Sequence, residues 1–122
     1  MRYLVDGMNV IGTRPDGWWK DRDAAMLRLV DLLERWSART GADVTVVFER
    51  KPDPPLRSTV IGVAHAPKAG PNSADNEIIR LVRADPDPAE IRVVTSDNVL
   101  GNIVNGLGAM VEPSAPFRDR ID

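Results

Sequence analysis

Val44-Thr45-Val46-Val47-Phe48 is apolar or β-branched at every position and stops at Glu49. A strand with one wet face alternates apolar and polar residues. A run that never alternates belongs to a strand covered on both faces, as in a parallel sheet between two helical layers. The flanks agree. Upstream, from about Asp21 to Thr40, the residues Met26, Leu29, Val30, Leu32, Leu33 and Trp36 recur at spacings of three and four, which predicts an amphipathic helix. Asp21 and Asp23 suit its positive end, and Gly41 is the expected stop. Further upstream, Tyr3 to Val5 reads as a short buried strand closed by Asp6-Gly7. Met8 to Ile11 starts a short helical turn, and Gly12 to Gly17 is loop.

Downstream, Arg50 to Leu56 holds three prolines and is loop. Ser58 to Ala64 reads as a third strand, weakened by Gly62, and Ala66 to Pro71 as loop. A helix capped by Asn72 or Ser73 runs through about Ala84 on Ile78, Leu81 and Val82. Asp85-Pro86-Asp87-Pro88 breaks it. Ile91 to Thr95 is a fourth strand, Asp97 to Asn105 a short helix, and Ala109 to Glu112 a fifth strand. The tail from Pro113 carries no clear pattern. Strands alternating with helices predict one α/β domain over residues 1–122, with three layers and a parallel sheet of about five strands.

Composition narrows the function. A chain of 122 residues, 43% apolar and 28% charged, is ordinary for one globular domain. Sixteen Lys and Arg against eighteen Asp and Glu leave a net charge of −2, so bulk charge advertises no polyanionic partner. The chain has no cysteine and one histidine, which excludes disulfide scaffolds, thiol nucleophiles and multi-histidine metal sites. No apolar run approaches the roughly 18–20 residues of a membrane span, and the N-terminus lacks a signal-peptide pattern. The expectation is a soluble cytoplasmic protein with no membrane partner.

The positions of the acids carry the chemistry. Asp6 ends the first strand, Glu49 the second and Asp97 the fourth, in Val93-Val94-Thr95-Ser96-Asp97. Asp75 falls in the first turn of the helix entered through Asn72-Ser73-Ala74. In an open parallel sheet all strand C-termini share one edge, and ligands bind there beside the point where strand order reverses. Carboxylates gathered on that edge raise one another's pKa or require a cation. A hard ion such as Mg²⁺ or Mn²⁺ is the simplest partner, and it supplies the chemistry of phosphodiester hydrolysis by activated water. Asn9, Ser96 and Thr95 are placed to orient water or phosphate. Taken alone, Asp75 also suits a helix N-terminus and Asp97 an N-cap.

Three stretches together resemble the NYN domains of the YacP-like branch of the PIN-like nucleases: Leu4-Val5-Asp6-Gly7-Met8-Asn9-Val10, Ser73-Ala74-Asp75-Asn76-Glu77-Ile78-Ile79, and Val93-Val94-Thr95-Ser96-Asp97. The likeness runs from Tyr3 to Val111. It implies a sheet of order 3-2-1-4-5 and Mg²⁺- or Mn²⁺-dependent endoribonuclease activity. It also implies Asp6, Asp75 and Asp97 as metal ligands, with Asn9 beside them as a further catalytic residue. Two positions depart from the pattern. Asn76 stands where many relatives have a second acid, and Gly101 where some have a further one. Asn76, Ser96 and Glu49 are then candidates for a supporting layer around the ligands.

RNA, free or presented by a ribosome or other RNA-processing assembly, is the expected partner; the oligomeric state is left open. Arg14, Lys20, Arg50, Lys51 and Lys68 fall in loops expected on the active edge, where phosphate contacts give salt-sensitive affinity. Trp18 and Trp19 share the first of those loops and offer faces for unpaired bases, or else a lid over the core. One alternative is a catalytically weak or inactive PIN-like module that binds RNA or protein, to which Asn76 and Gly101 point. A haloacid-dehalogenase-type phosphohydrolase ranks lower, because Met8 stands where that class needs a second aspartate.

Overall fold

In the computed structural model, which describes residues 1–122, the both-faces-apolar run becomes the second strand of a five-stranded parallel sheet. The strands are β1 (Arg2–Asp6), β2 (Asp43–Phe48), β3 (Gly62–His65), β4 (Ile91–Val94) and β5 (Met110–Glu112). Their order is β3-β2-β1-β4-β5, and every pairing is parallel. Five helices cover the sheet: α1 (Gly7–Ile11), α2 (Arg22–Thr40), α3 (Ser73–Ala84), α4 (Asn98–Gly106) and α5 (Ser114–Ile121). No helix is long and apolar enough to cross a membrane.

Side chains alternate faces along a strand, and here both faces are dry. Val5, Val46 and Phe48 pack with Met26, Leu33 and Phe117 under α1, α2 and α5. Leu4, Val47 and Val93 pack with Ile78, Val82 and Val104 under α3 and α4. The predicted bounds of α2 hold: Asp21 caps it by accepting from the Ala24 N–H at 3.1 Å, and Gly41 closes it by donating to the Ser37 carbonyl.

The third strand is shorter than Ser58 to Ala64. The Ser58 hydroxyl oxygen accepts from the N–H groups of Val60 and Ile61, at 3.0 and 3.1 Å. Those donors are thereby turned away from β2, and pairing starts only at Gly62, opposite Thr45. Glycine is needed there, because a Cβ would lie 2.6 Å from the Thr45 hydroxyl oxygen. The larger difference is α5, a helix in the tail that showed no pattern. Its Phe117 and Ile121 are buried one turn apart against α1 and α2. Single 3₁₀ turns at Trp18–Lys20 and Pro88–Glu90 complete the chain.

Candidate active site

The crevice follows from the strand order. From β1 the chain moves outward to β2 and β3, then returns to place β4 on the other side, so the carboxyl ends of β1 and β4 flank the switch point. Asp6 is the last residue of β1, and α1 begins at the next residue. That abrupt start needs Gly7, since a Cβ there would sit 2.6 Å from the Phe48 ring and 3.0 Å from the Val47 carbonyl oxygen.

Asp6 is 5% exposed. Burial pushes its carboxyl up to a pKa of about 6, and the charges of Asp75 and Asp97 add to the rise. The Thr95 hydroxyl opposes the shift by donating to Asp6 Oδ2 at 2.9 Å. Asp75 sits in the first turn of α3, and burial followed by the charge of Asp97 raises its pKa as well. Asp97 is the N-cap of α4 and accepts from the Leu100 N–H through Oδ1 at 3.0 Å. Its own N–H donates to the Thr95 hydroxyl oxygen at 3.2 Å. The buried Thr95 therefore links Asp6 to Asp97 through one oxygen.

The three predicted acids share one edge and repel one another, yet no three His, Asp or Glu side chains of the chain close into a ready-made cage for a metal ion. Two oxygens are also committed, Asp6 Oδ2 to Thr95 and Asp97 Oδ1 to the helix cap. The remaining donors suit a hard, hydrated cation, because Mg²⁺ retains several waters and binds proteins through one or two carboxylates.

Hydroxyl groups hold the elements of the site together. Asn72 occupies the N-cap position of α3, but its side chain makes no capping bond. Ser73 does not cap either: its hydroxyl donates to the Glu49 carbonyl at 2.8 Å and moors the start of α3, with Asp75, to the end of β2. Asn9 Oδ1 accepts from the Ser96 N–H at 2.9 Å and from the Ser114 hydroxyl at 2.6 Å. The Ser114 N–H in turn donates to the Ser96 hydroxyl oxygen at 2.9 Å. Asn9 is thus spanned between α1, the connection after β4 and the start of α5. Ser114 is fully buried, and the tail that holds it carries no sequence pattern that would single it out. Combining Asn9→Ala with Ser114→Ala in a denaturation cycle should give a coupling of about 0.5–3 kcal/mol. Additive losses would show that the two side chains act separately.

The other marked residues divide. Glu49 faces Arg22 at 3.5 Å, and Asn76 is exposed. Trp18 packs on the core, edge-on to Trp19 at 5.8 Å, with the Arg22 guanidinium 5.2 Å above its ring. Trp19 is half exposed. Arg14 is tied to Asp119 and Asp122 at the end of α5, and Arg50 to Asp23 at 2.9 Å. Lys20, Lys51 and Lys68 are exposed and make no ion pair. A separate cleft of about 300 Å³ opens at the opposite edge of the sheet around the Arg2–Asp85 ion pair; none of the acids at the carboxyl edge lines it.

Comparison with known proteins agrees with this architecture. Two crystal structures of Rae1 (YacP) from Bacillus subtilis, one of them a point mutant, superpose with TM-scores of 0.81 and 0.78 at 24% identity. The match covers 99% of this chain and 73% and 74% of theirs. No curated protein sequence matches. The family model described as the YacP-like NYN domain matches residues 3–122. With that match spanning nearly the whole sequence, the chain belongs to the YacP-like NYN domain family of PIN-like nucleases.

Proposed function

We propose that this protein is a Mg²⁺- or Mn²⁺-dependent endoribonuclease that hydrolyses phosphodiester bonds of single-stranded RNA at the carboxyl edge of the sheet. The observation that carries the reading is the mutual repulsion of Asp6, Asp75 and Asp97 in one crevice of a nuclease-family fold. A buried carboxylate beside two further acids is costly without a cation, and perturbed acids concentrate at functional sites. Asp6, Asp75 and Asp97 would hold the metal, which when bound supplies charge neutralisation at phosphate and a lowered pKa of water.

The chain's own residues do the rest. Thr95 fixes one oxygen of Asp6, and the Asn9 backbone N–H also donates to that carboxylate. Asn9, held by Ser96 and Ser114, positions water or a phosphate oxygen with its amide. Lys20, Lys51 and Lys68 supply unpaired positive charge for the RNA backbone, free or presented by the ribosome or another RNA-processing assembly. The exposed face of Trp19 offers a stacking surface for an unpaired base.

The test is cleavage of a single-stranded RNA by the purified protein with Mn²⁺, with Mg²⁺ and with a chelator. Asp97→Asn is the informative variant, because asparagine keeps the N-cap and therefore the fold. It should lower kcat/KM by about 10²–10³, the usual loss when one group stabilising developing charge is removed. Undiminished cleavage by this variant, or cleavage in excess chelator, rejects the proposal. The open arrangement of the acids favours a second reading, an RNA-binding module without catalysis. RNA binding with no cleavage under any metal would establish that one instead.

A further inference from the structure

Beside Asp97, α4 and the start of the segment after β5 enclose a groove of about 360 Å³, within the ~300–1,000 Å³ of small-ligand sites. Its rim carries Asn98, Asn102 and Asn105, which are three and four residues apart and so share one helix face. All three are exposed, and none of their carboxamides makes a hydrogen bond within the protein. Val111 and Pro113 supply an apolar wall.

Gly101 lies at the floor, inside α4. Glycine in a helix interior is destabilising relative to alanine. Packing does not demand it here: a Cβ would meet the Val111 methyls at 3.7 and 3.8 Å, an ordinary contact. The missing side chain instead leaves the floor of the groove open.

We infer that this groove is a base-reading subsite that takes one unpaired nucleobase, adenine by preference, next to the phosphate at the acidic crevice. An asparagine amide matches adenine in both directions, accepting from N6 and donating to N7. In single-stranded RNA that edge is free for readout, while the base face packs on an apolar wall. Three such amides on one rim offer paired donors and acceptors, which match the edge of a base, whereas a phosphate offers acceptors alone. The assignment builds on the RNA reading above, but it does not depend on catalysis.

The experiment uses metal-free protein and three hexaribonucleotides, A6, C6 and U6. Binding is followed by the ¹⁵N side-chain amide resonances and by fluorescence anisotropy. A6 should shift the Asn98, Asn102 and Asn105 amide signals and bind more tightly than C6 or U6. Asn102→Ala and Gly101→Leu, the second filling the floor, should each weaken A6 binding by about 5- to 10-fold or more, as expected for loss of a bidentate base contact. Circular dichroism confirms that each variant is folded. Equal affinity for the three oligonucleotides, no binding, amide signals that stay still, or variants that bind A6 as the parent does would overturn the assignment. Adenine-selective binding by a protein that cleaves nothing in the Mn²⁺ assay would leave the subsite standing and remove only the nuclease reading.

Discussion

Asp6→Asn should abolish RNA cleavage and at the same time make the protein more stable at pH 8. The carboxyl of Asp6 titrates at about 6 in the folded chain against 3.8 for the ordinary group. Folding therefore favours its protonated form. Below pH 4 the group is protonated in both the folded and unfolded states, and it costs nothing. As pH rises through 4 to 6, the unfolded state releases the proton first, and the folded state loses stability. Above about 6 the full penalty of about 3 kcal/mol is in place, from a shift near two units at 1.36 kcal/mol each. Asparagine carries no charge to bury and can still accept from the Thr95 hydroxyl. At roughly 3–5 °C per kcal/mol for a domain of this size, Tm should rise by about 5–15 °C at pH 8 and hardly at all at pH 4. Thermal melts at the two pH values, alongside the cleavage assay, check both halves. A variant less stable than the parent at pH 8 would refute the electrostatic account. A stable variant that still cuts RNA would remove Asp6 from the reaction.

The second large effect lies outside the acids. Phe117→Ala should cost about 3–5 kcal/mol, the usual range for emptying a buried aromatic site. Against a typical total of about 5–15 kcal/mol, that is a large share. Phe117 is fully buried, with Trp36 at 5.3 Å and Tyr3 at 6.0 Å between ring centres. Arg120, above the Trp36 and Phe117 rings, pairs with Glu112 at 2.7 Å and ties α5 to the edge strand. The damage should reach the site, because the first residue of α5 is Ser114, which holds Asn9. Urea denaturation measures the loss, and hydrogen exchange should show α1 and α5 opening together. A loss below about 1 kcal/mol would mean that the cavity collapses without penalty, and that α5 does not brace the site.

These two effects differ in how visible they are in the sequence. Asp6, Asp75 and Asp97 stand out because each falls where a strand ends or a helix begins, and a parallel sheet brings such points to one edge. The strand Val44 to Phe48 is legible because burial on both faces leaves no polar alternation to interpret. The helix carrying Phe117 is not. Ser-Ala-Pro-Phe-Arg-Asp-Arg-Ile has only two large apolar residues, and their partners Tyr3 and Trp36 lie far away in the chain. Ser58 delays the start of the third strand because its hydroxyl oxygen takes the N–H groups of Val60 and Ile61, a local competition that residue type alone does not decide. The same holds for Ser73, Thr95 and Ser114. A serine or threonine in a sequence names a hydroxyl, but only the assembled chain says which carbonyl, carboxylate or amide it meets.

Thr95 shows what such a meeting implies. A threonine oxygen owns a single hydrogen and two lone pairs. Here the hydrogen is spent on residue 6, and a lone pair receives the amide of residue 97. The arrangement has a direction, running from the helix backbone through the hydroxyl to the carboxylate. A negative charge at the receiving end strengthens it. The orientation of one O–H bond thus fastens together two stretches of polypeptide separated by nearly ninety residues.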